Sequence, residues 1–391
     1  MHGVTLVRVL AGAIGRPCYC DPELMRILFV SGTSVGGAAK STAELAAALA
    51  RRGHRVATLM ALDEARRTRA WNDRLLDASV RLRPLEKTID PIRRRVGARL
   101  CELSEANGVV SARAAKPANA LAAMIQRVRP DVVVTNSVER PEWRQIHDDL
   151  GKLGIPRVLY LRERTSLGHL TRLGLPGDLL LSNASGHAAE AAAAGYRATV
   201  IPSIVETDGA RVESSRERVV YVNPVPLFGL DIALGLASDR PDIPFTFVKS
   251  WPLEESESAA LDAAIAALGN VEIQEFSASV ADVYRRARVV LLPYRHPGRP
   301  RVVVEAHANG IPVLASREDG LAEGVGPGGS CVDVDASRDE WARALGALWD
   351  DVEHYDEVVA RTRAFAARPE IQPSVVVDTF EVALRDRFGL T

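Results

Sequence analysis

The sequence predicts an α/β fold: two successive Rossmann-like domains facing each other across a cleft. Three observations predict it. A strand, a Gly-rich loop, a helix and a second strand follow one another from Arg26 to Met60, the unit of a parallel sheet. Short apolar runs then alternate with helical segments as far as Ile204. A second alternating series begins after the polar stretch Val205–Glu217, which reads as a linker. The chain has 391 residues, 47% hydrophobic and 25% charged, enough apolar material for two buried cores.

The elements follow in order. Arg26–Ser31 is a short apolar run, hence a buried strand. Ala38–Arg52 is rich in Ala and Leu, ends on Arg51-Arg52 and stops at Gly53, so it reads as a helix leading to the strand His54–Met60. Residues 63–118 read as charged and helical, with few strand signals. Strands resume at Asp131–Thr135, Arg157–Leu161 and Asp178–Leu181, with helices at Glu142–Lys152 and His187–Ala194, and Thr199–Ile204 closes the half. In the second half, strands are expected at Val219–Val222, Phe245–Val248, Val271–Gln274, Val289–Leu292, Pro312–Ala315 and Cys331–Val334. Helices are expected at Ile232–Ser238, Leu261–Ala267, Val280–Arg286, Val302–Asn309, Asp339–Trp349, Val352–Ala367 and Val375–Phe388. The domains implied are 25–205 and 206–371, with a terminal helix in 372–391 that can cross back to the first domain. Val4–Ile14 is modestly apolar but interrupted by Arg8, and Met25 looks like a natural domain start, so 1–24 reads as a non-core extension.

Composition excludes several classes. Formal net charge is −1, from 49 basic and 50 acidic residues, which argues against a dedicated nucleic-acid binder. No run of about 18 apolar residues exists, so no membrane insertion is expected. Cys18, Cys20, Cys101 and Cys331 form no zinc or disulfide framework, and a cytoplasmic setting is the default. His296 and His307 stand too isolated for a metal site.

Two segments carry chemistry. Ser31-Gly32-Thr33-Ser34-Val35-Gly36-Gly37-Ala38 joins a strand to a helix. Its glycines let a ligand approach the backbone, and the helix N-terminus presents free amides suited to a phosphate. It is neither a Walker A loop nor a GxGxxG fingerprint. The second runs from Arg301 to Ser316, with Glu305 inside an otherwise apolar helical face. An ionised carboxylate there needs partners; the hydroxyls of a ribose or a nearby arginine would serve.

These segments together resemble the retaining GT-B glycosyltransferases of family 4, also called glycosyl transferases group 1. The resemblance rests on Val35-Gly36-Gly37-Ala38, on Val200-Ile201-Pro202-Ser203 before the linker, on Glu305 to Ser316, and on Gly320-Leu321-Ala322-Glu323. It implies a nucleotide-diphosphate sugar as donor, held mainly by the second domain, and a small-molecule acceptor on the first. No metal or other cofactor is implied. Glu305 matches the family's ribose-binding glutamate, and Gly36 and Gly37 match the loop that closes on the donor phosphates. Asn223, Lys249, Phe276, Arg301 and Val302 complete the expected donor side. Asn136, Arg162, Glu163 and His169, at strand ends of the first domain, are the expected acceptor contacts. Glu163, His169 and Lys249 are the candidates for catalysis.

The departures are informative. The family's first glutamate, eight residues before the second, is replaced by Pro297. Asn223 and Phe228 stand where basic residues are expected. A diphosphate still needs cations, and Lys249, Arg295, Arg299 and Arg301 are available in sequence. Such divergence points to an unusual donor or acceptor, with a small natural product as the suggested setting. Two other readings stay open: a catalytically silent GT-B module that binds a nucleotide-sugar or supports a partner subunit, and a different enzyme on the same scaffold, such as a nucleotide-sugar epimerase.

Overall fold

The computed structural model describes residues 24–34, 36–62, 102–136, 140–162, 168, 170, 172, 174, 177–250, 253–275, 279–295 and 298–390. The first domain is an eight-stranded sheet. Its strands are β1 (Arg26–Ser31), β2 (Arg55–Ala61), β3 (Glu102–Ala106), β4 (Val109–Ala114), β5 (Val132–Asn136), β6 (Arg157–Leu161), β7 (Leu179–Ser182) and β8 (Ala198–Val200), in the order β3-β4-β2-β1-β5-β6-β7-β8. All pair in parallel except β3 with β4. The second domain is wholly parallel. Its strands are β9 (Arg218–Val222), β10 (Phe245–Val248), β11 (Val271–Gln274), β12 (Ala287–Leu292), β13 (Val313–Ser316) and β14 (Gly329–Val332), in the order β11-β10-β9-β12-β13-β14.

Strand order reverses between β1 and β5 in the first sheet, and between β9 and β12 in the second. In open α/β sheets the ligand crevice lies at such a reversal, beyond the strands' carboxyl ends. Those ends are Ser31 and Asn136 on one side, Val222 and Leu292 on the other. The strands read as continuous apolar runs because helices cover both faces.

The expectation of helix across 63–118 is corrected where the chain is described. Residues 63–101 lie outside the described residues. Residues 102–114 form the β3–β4 hairpin, turning at Asn107 (φ 52°) and Gly108 (φ 73°). Two left-handed residues in a row match the twist of a tight hairpin, and Asn-Gly is the sequence that tolerates them. The polar edge strand Glu102–Ala106 hid the pattern. The helix Asp319–Val325 was also not anticipated; with seven residues it is too short to show a period. The expected extension 1–24 lies outside the described residues up to residue 23.

The terminal helix Pro373–Phe388 inserts Val376, Val377, Phe380 and Leu384 among Phe29, Leu45 and Val134 of the first domain. The rings of Phe29 and Phe380 stack with centroids 5.9 Å apart. Arg52 reaches Asp378 at 2.6 Å and Glu381 at 3.2 Å. His54 Nδ1 accepts the Met25 N–H at 3.1 Å. Its Nε2–H therefore donates to Glu381 Oε1, also at 3.1 Å. Among the described residues no helix is long and apolar enough to cross a membrane.

Candidate active site

The Gly-rich loop sits at the carboxyl end of β1. The helix after it starts at Gly36, two residues earlier than its Ala-rich pattern suggests. Gly36 adopts φ 81° with open space on its side-chain face, and a Cβ at Gly37 would lie 3.4 Å from Arg301 Cδ of the opposite domain. The loop therefore packs directly on the helix that carries Glu305. No acidic residue occupies the first turn of the Gly36–Arg51 helix, so its amides keep their positive end for an anion.

Glu305 is buried, as its neighbours in sequence require. Tyr284 donates its hydroxyl to Oε2 at 2.8 Å. Arg301 Nη2 lies 3.3 Å from Oε1, and Lys40 Nζ, from the first domain, lies 3.6 Å from the same atom. Burial and the adjacent carboxylate push the Tyr284 phenol well above its ordinary range, so it remains a donor. Tyr284→Phe should cost about 1.5 kcal/mol of stability, the value of one hydrogen bond to a charged group; a denaturation midpoint unchanged from the parent would remove Tyr284 from the support of Glu305.

Arg301 does not stand free toward a donor, as its place in the sequence led us to expect. Its Nη1 donates to Ser41 Oγ at 2.8 Å, Glu44 Oε2 at 2.8 Å and the Ile204 carbonyl at 3.0 Å, and Nη2 to Glu44 Oε1 at 2.9 Å. A bidentate pair thus joins the two domains beside the Gly loop. Glu44 Oε2 also accepts the Glu206 N–H at 3.0 Å, which fixes the linker. Val302 is half-buried against the core of the second domain. Its amide lies in the first turn of the same helix.

The rest of the donor side is unusual. Asn223 directly follows β9 with φ 63°, and its Oδ1 is buried without a hydrogen-bond partner among the described residues. An orphaned acceptor in a strained residue at a sheet's reversal is a mark of a ligand site. Gly229 closes this loop at φ 77°; a Cβ there would fall 2.0 Å from the Pro293 carbonyl, so only glycine brings the loop against β12. Phe228 packs edge-on against Tyr294 at 4.5 Å. Lys249 is buried, and its Nζ pairs with Glu275 at 2.8 Å and Ser258 at 3.4 Å. A diphosphate reaching Lys249 would have to displace Glu275. Arg295 pairs with Asp231 at 2.7 Å. Phe276 lies outside the described residues.

On the first domain, Asn136 is fully enclosed. Its Oδ1 accepts from Ser31 at 3.0 Å and its Nδ2 donates to Thr42 at 3.2 Å. It braces β1, β5 and the Gly-loop helix instead of meeting an acceptor, a correction to its expected place. Arg162 is buried too, with Nη1 on Ser203 Oγ at 3.0 Å and its guanidinium 4.2 Å over the Tyr160 ring. Glu163 and His169 lie outside the described residues. Among the described residues no cluster of three or more His, Cys, Asp or Glu is arranged to hold a metal ion.

Sequence reasoning missed three participants and left a fourth without a role. Lys40 sits on the first turn after the glycines, but a lysine there looks like any helical surface charge. Tyr284 and Glu44 acquire their partners only through tertiary contacts. Glu323 was noticed as a motif without a purpose. Its Oε2 accepts from the Ser185 N–H at 2.8 Å and hydroxyl at 2.7 Å, capping a first-domain helix from the second domain. Arg299 steadies its other oxygen at 2.8 Å.

Comparisons with known proteins bear on the family and the fold. Residues 233–351 match the family described as glycosyl transferases group 1. The D-inositol 3-phosphate glycosyltransferase of Corynebacterium kroppenstedtii is 41% identical over 73 residues, 18% of this chain and 16% of that protein. Its counterpart from an Arthrobacter species is 32% identical over 122 residues, 30% of this chain and 29% of that protein. The matches thus span less than a third of either relative. Over the whole fold, HepE from Anabaena, solved with UDP-glucose, is similar with a TM-score of 0.67 at 17% identity, covering 93% of this chain and 100% of that one. Sucrose-phosphate synthase from Thermosynechococcus elongatus gives 0.72 at 14% identity, covering 94% and 100%. Residues 233–351 of the second domain are thus similar to the glycosyl transferases group 1 family, and the chain carries that segment on a GT-B fold.

Proposed function

We propose that the protein transfers a sugar from a nucleotide-diphosphate sugar to a small-molecule acceptor, with retention of configuration and without a metal ion. The observation that carries this reading is the meeting of Glu305 with Lys40 and the Gly36–Gly37 loop across one cleft. Glu305 takes the ribose hydroxyls, exchanging its contact with Lys40 for them. Lys40, whose side chain is 43% exposed, then turns to the diphosphate. The amides of Gly36, Gly37 and Val302 stand at helix N-termini and add positive potential. Asn223 Oδ1 accepts a hydrogen bond from the donor. The acceptor nucleophile attacks the anomeric carbon on the face from which the diphosphate departs, and a departing phosphate oxygen takes the acceptor's proton. Stabilising the charge that grows on that leaving group is the main demand on the site. Support comes from the family match and from neighbours solved with UDP-glucose. A natural-product acceptor and a cytoplasmic setting complete the proposal.

A thermal-shift screen with UDP, GDP, ADP and TDP tests it, because a bound nucleotide stabilises the folded form by mass action. One nucleotide should raise the midpoint, and Glu305→Ala should weaken it by about 1–3 kcal/mol. Unchanged affinity in that variant would remove Glu305 from the ribose. The second reading, a silent GT-B module, is favoured by one feature: Lys249 and Arg301 already hold protein carboxylates. Nucleotide binding without turnover by the purified chain, across a panel of donors and acceptors, would select it.

A further inference from the structure

A cavity lies away from the cleft. It has a volume of about 640 Å3, within the range of small-molecule sites. Its walls come from residues 211–216 before β9, the turn at Ala308–Ile311 before β13, and the helix Val352–Ala366. The first two of these segments lead into the amino ends of β9 and β13. The length of a strand, roughly 16 Å for five residues, separates them from the donor crevice.

Three guanidiniums line this cavity: Arg211, Arg216 and Arg363. Their protein partners are weak or missing. Arg211 lies 3.6 Å from Asp208 and Arg216 lies 3.7 Å from Asp356, and those carboxylates are 96% and 64% exposed, so solvent screens both pairs. Arg363 forms no ion pair among the described residues. It lies over Gly310, whose φ is +67° and where a Cβ would fall 2.7 Å from Arg363 Nε. The turn is therefore shaped to let a guanidinium rest on its backbone. Arg216 stands 5.6 Å from the ring of Tyr355, which faces the same space. The helix end at Ala308 explains about half a unit of positive charge, and Glu213 one more. Arg211 and Arg216 are offset further only by the exposed, solvent-screened carboxylates of Asp208 and Asp356, and Arg363 has no carboxylate partner among the described residues.

We propose that this cavity binds a small phosphorylated polyol, separate from the nucleotide-sugar. Planar guanidiniums pair with phosphate oxygens through two hydrogen bonds each. Glu213 cannot help to hold a phosphate, but it accepts hydrogen bonds from hydroxyls. A ligand carrying a phosphomonoester at one end and hydroxyls at the other satisfies both.

Isothermal titration of the full chain with ribose 5-phosphate, and with inorganic phosphate as second probe, tests the assignment. Ribose 5-phosphate should bind, and Arg216→Ala combined with Arg363→Ala should weaken it at least about tenfold, the loss of one charged contact or more. Glu213→Ala should weaken ribose 5-phosphate and leave inorganic phosphate as tight or tighter. The nucleotide response should survive these exposed substitutions, which also shows that they fold. Glu305→Ala should leave the ribose 5-phosphate heat intact. Absence of binding, binding unchanged in the double variant, or displacement of ribose 5-phosphate by the responding nucleotide would overturn the site.

Discussion

Glu44→Ala is expected to destabilise the protein by about 2–3 kcal/mol. Removing one partner of a buried ion pair usually costs about 3–5 kcal/mol, because the other charge stays desolvated without compensation. The Arg301 side chain is only 6% exposed, and Glu44 supplies two of its five hydrogen bonds. The cost falls below the usual range because Glu305, 3.3 Å away, remains to share the charge. The linker also loses its anchor at Glu206. A urea titration reads the change from the midpoint. A loss below about 0.5 kcal/mol would mean that the pair behaves like an exposed one. Glu44→Ala combined with Arg301→Met should recover part of the loss, since both charges are then gone. The same single variant frees the Gly36–Gly37 loop from its brace, so weaker nucleotide binding should accompany the fall in stability.

That bridge also shows where the sequence stops being readable. The two parallel sheets were legible because strands buried on both faces are continuous apolar runs, and Arg26–Ser31 or Val289–Leu292 can be little else. The hairpin at Asn107-Gly108 carried a readable turn signal, masked by the charged edge strand before it. Glu305 was legible as a carboxylate that needed partners, but not which ones. The candidates were ribose and arginine, and the structure supplies Arg301, Tyr284 and Lys40 from three separate elements. The cations named for the donor could be counted in sequence. Their commitment to Glu44, Glu275 and Asp231 could not, because a side chain's partner across some 260 residues leaves no local pattern. Asn136 shows the opposite limit. A polar residue at a strand's carboxyl end faces the crevice in one dimension, yet here it is sealed inside as a brace.

Stability should also fall as the solution is acidified, in a window set by His307. Its imidazole is buried in the helix Arg301–Ala308, beside Gly328, with the Phe365 ring edge-on at 6.0 Å. Burial first, and the Arg368 guanidinium second, push it down to about 3 from an ordinary 6.5; the Gly328 backbone pulls weakly the other way. The folded pKa is the lower one, so between those values the unfolded chain binds one proton more. Each pH unit then removes about 1.4 kcal/mol of stability as pH falls. Going from pH 7 to pH 4.5 should cost roughly 2–3 kcal/mol from this residue. Asp178 works in a different window. Its carboxyl is lowered by hydrogen bonds from Arg157, so its contribution is present above its ordinary 3.8 and fades only below it. Denaturation midpoints at half-unit steps, compared with His307→Leu, separate the two. The variant's profile should be shallower from pH 6.5 to about 4.5, keeping only what His147 adds, since burial and Arg157 lower that imidazole too, and then fall with the carboxylates. Parallel profiles for the two proteins would show that the imidazole takes up its proton in the folded state at an ordinary pH, and that the wall between the helix Arg301–Ala308 and Phe365 admits water.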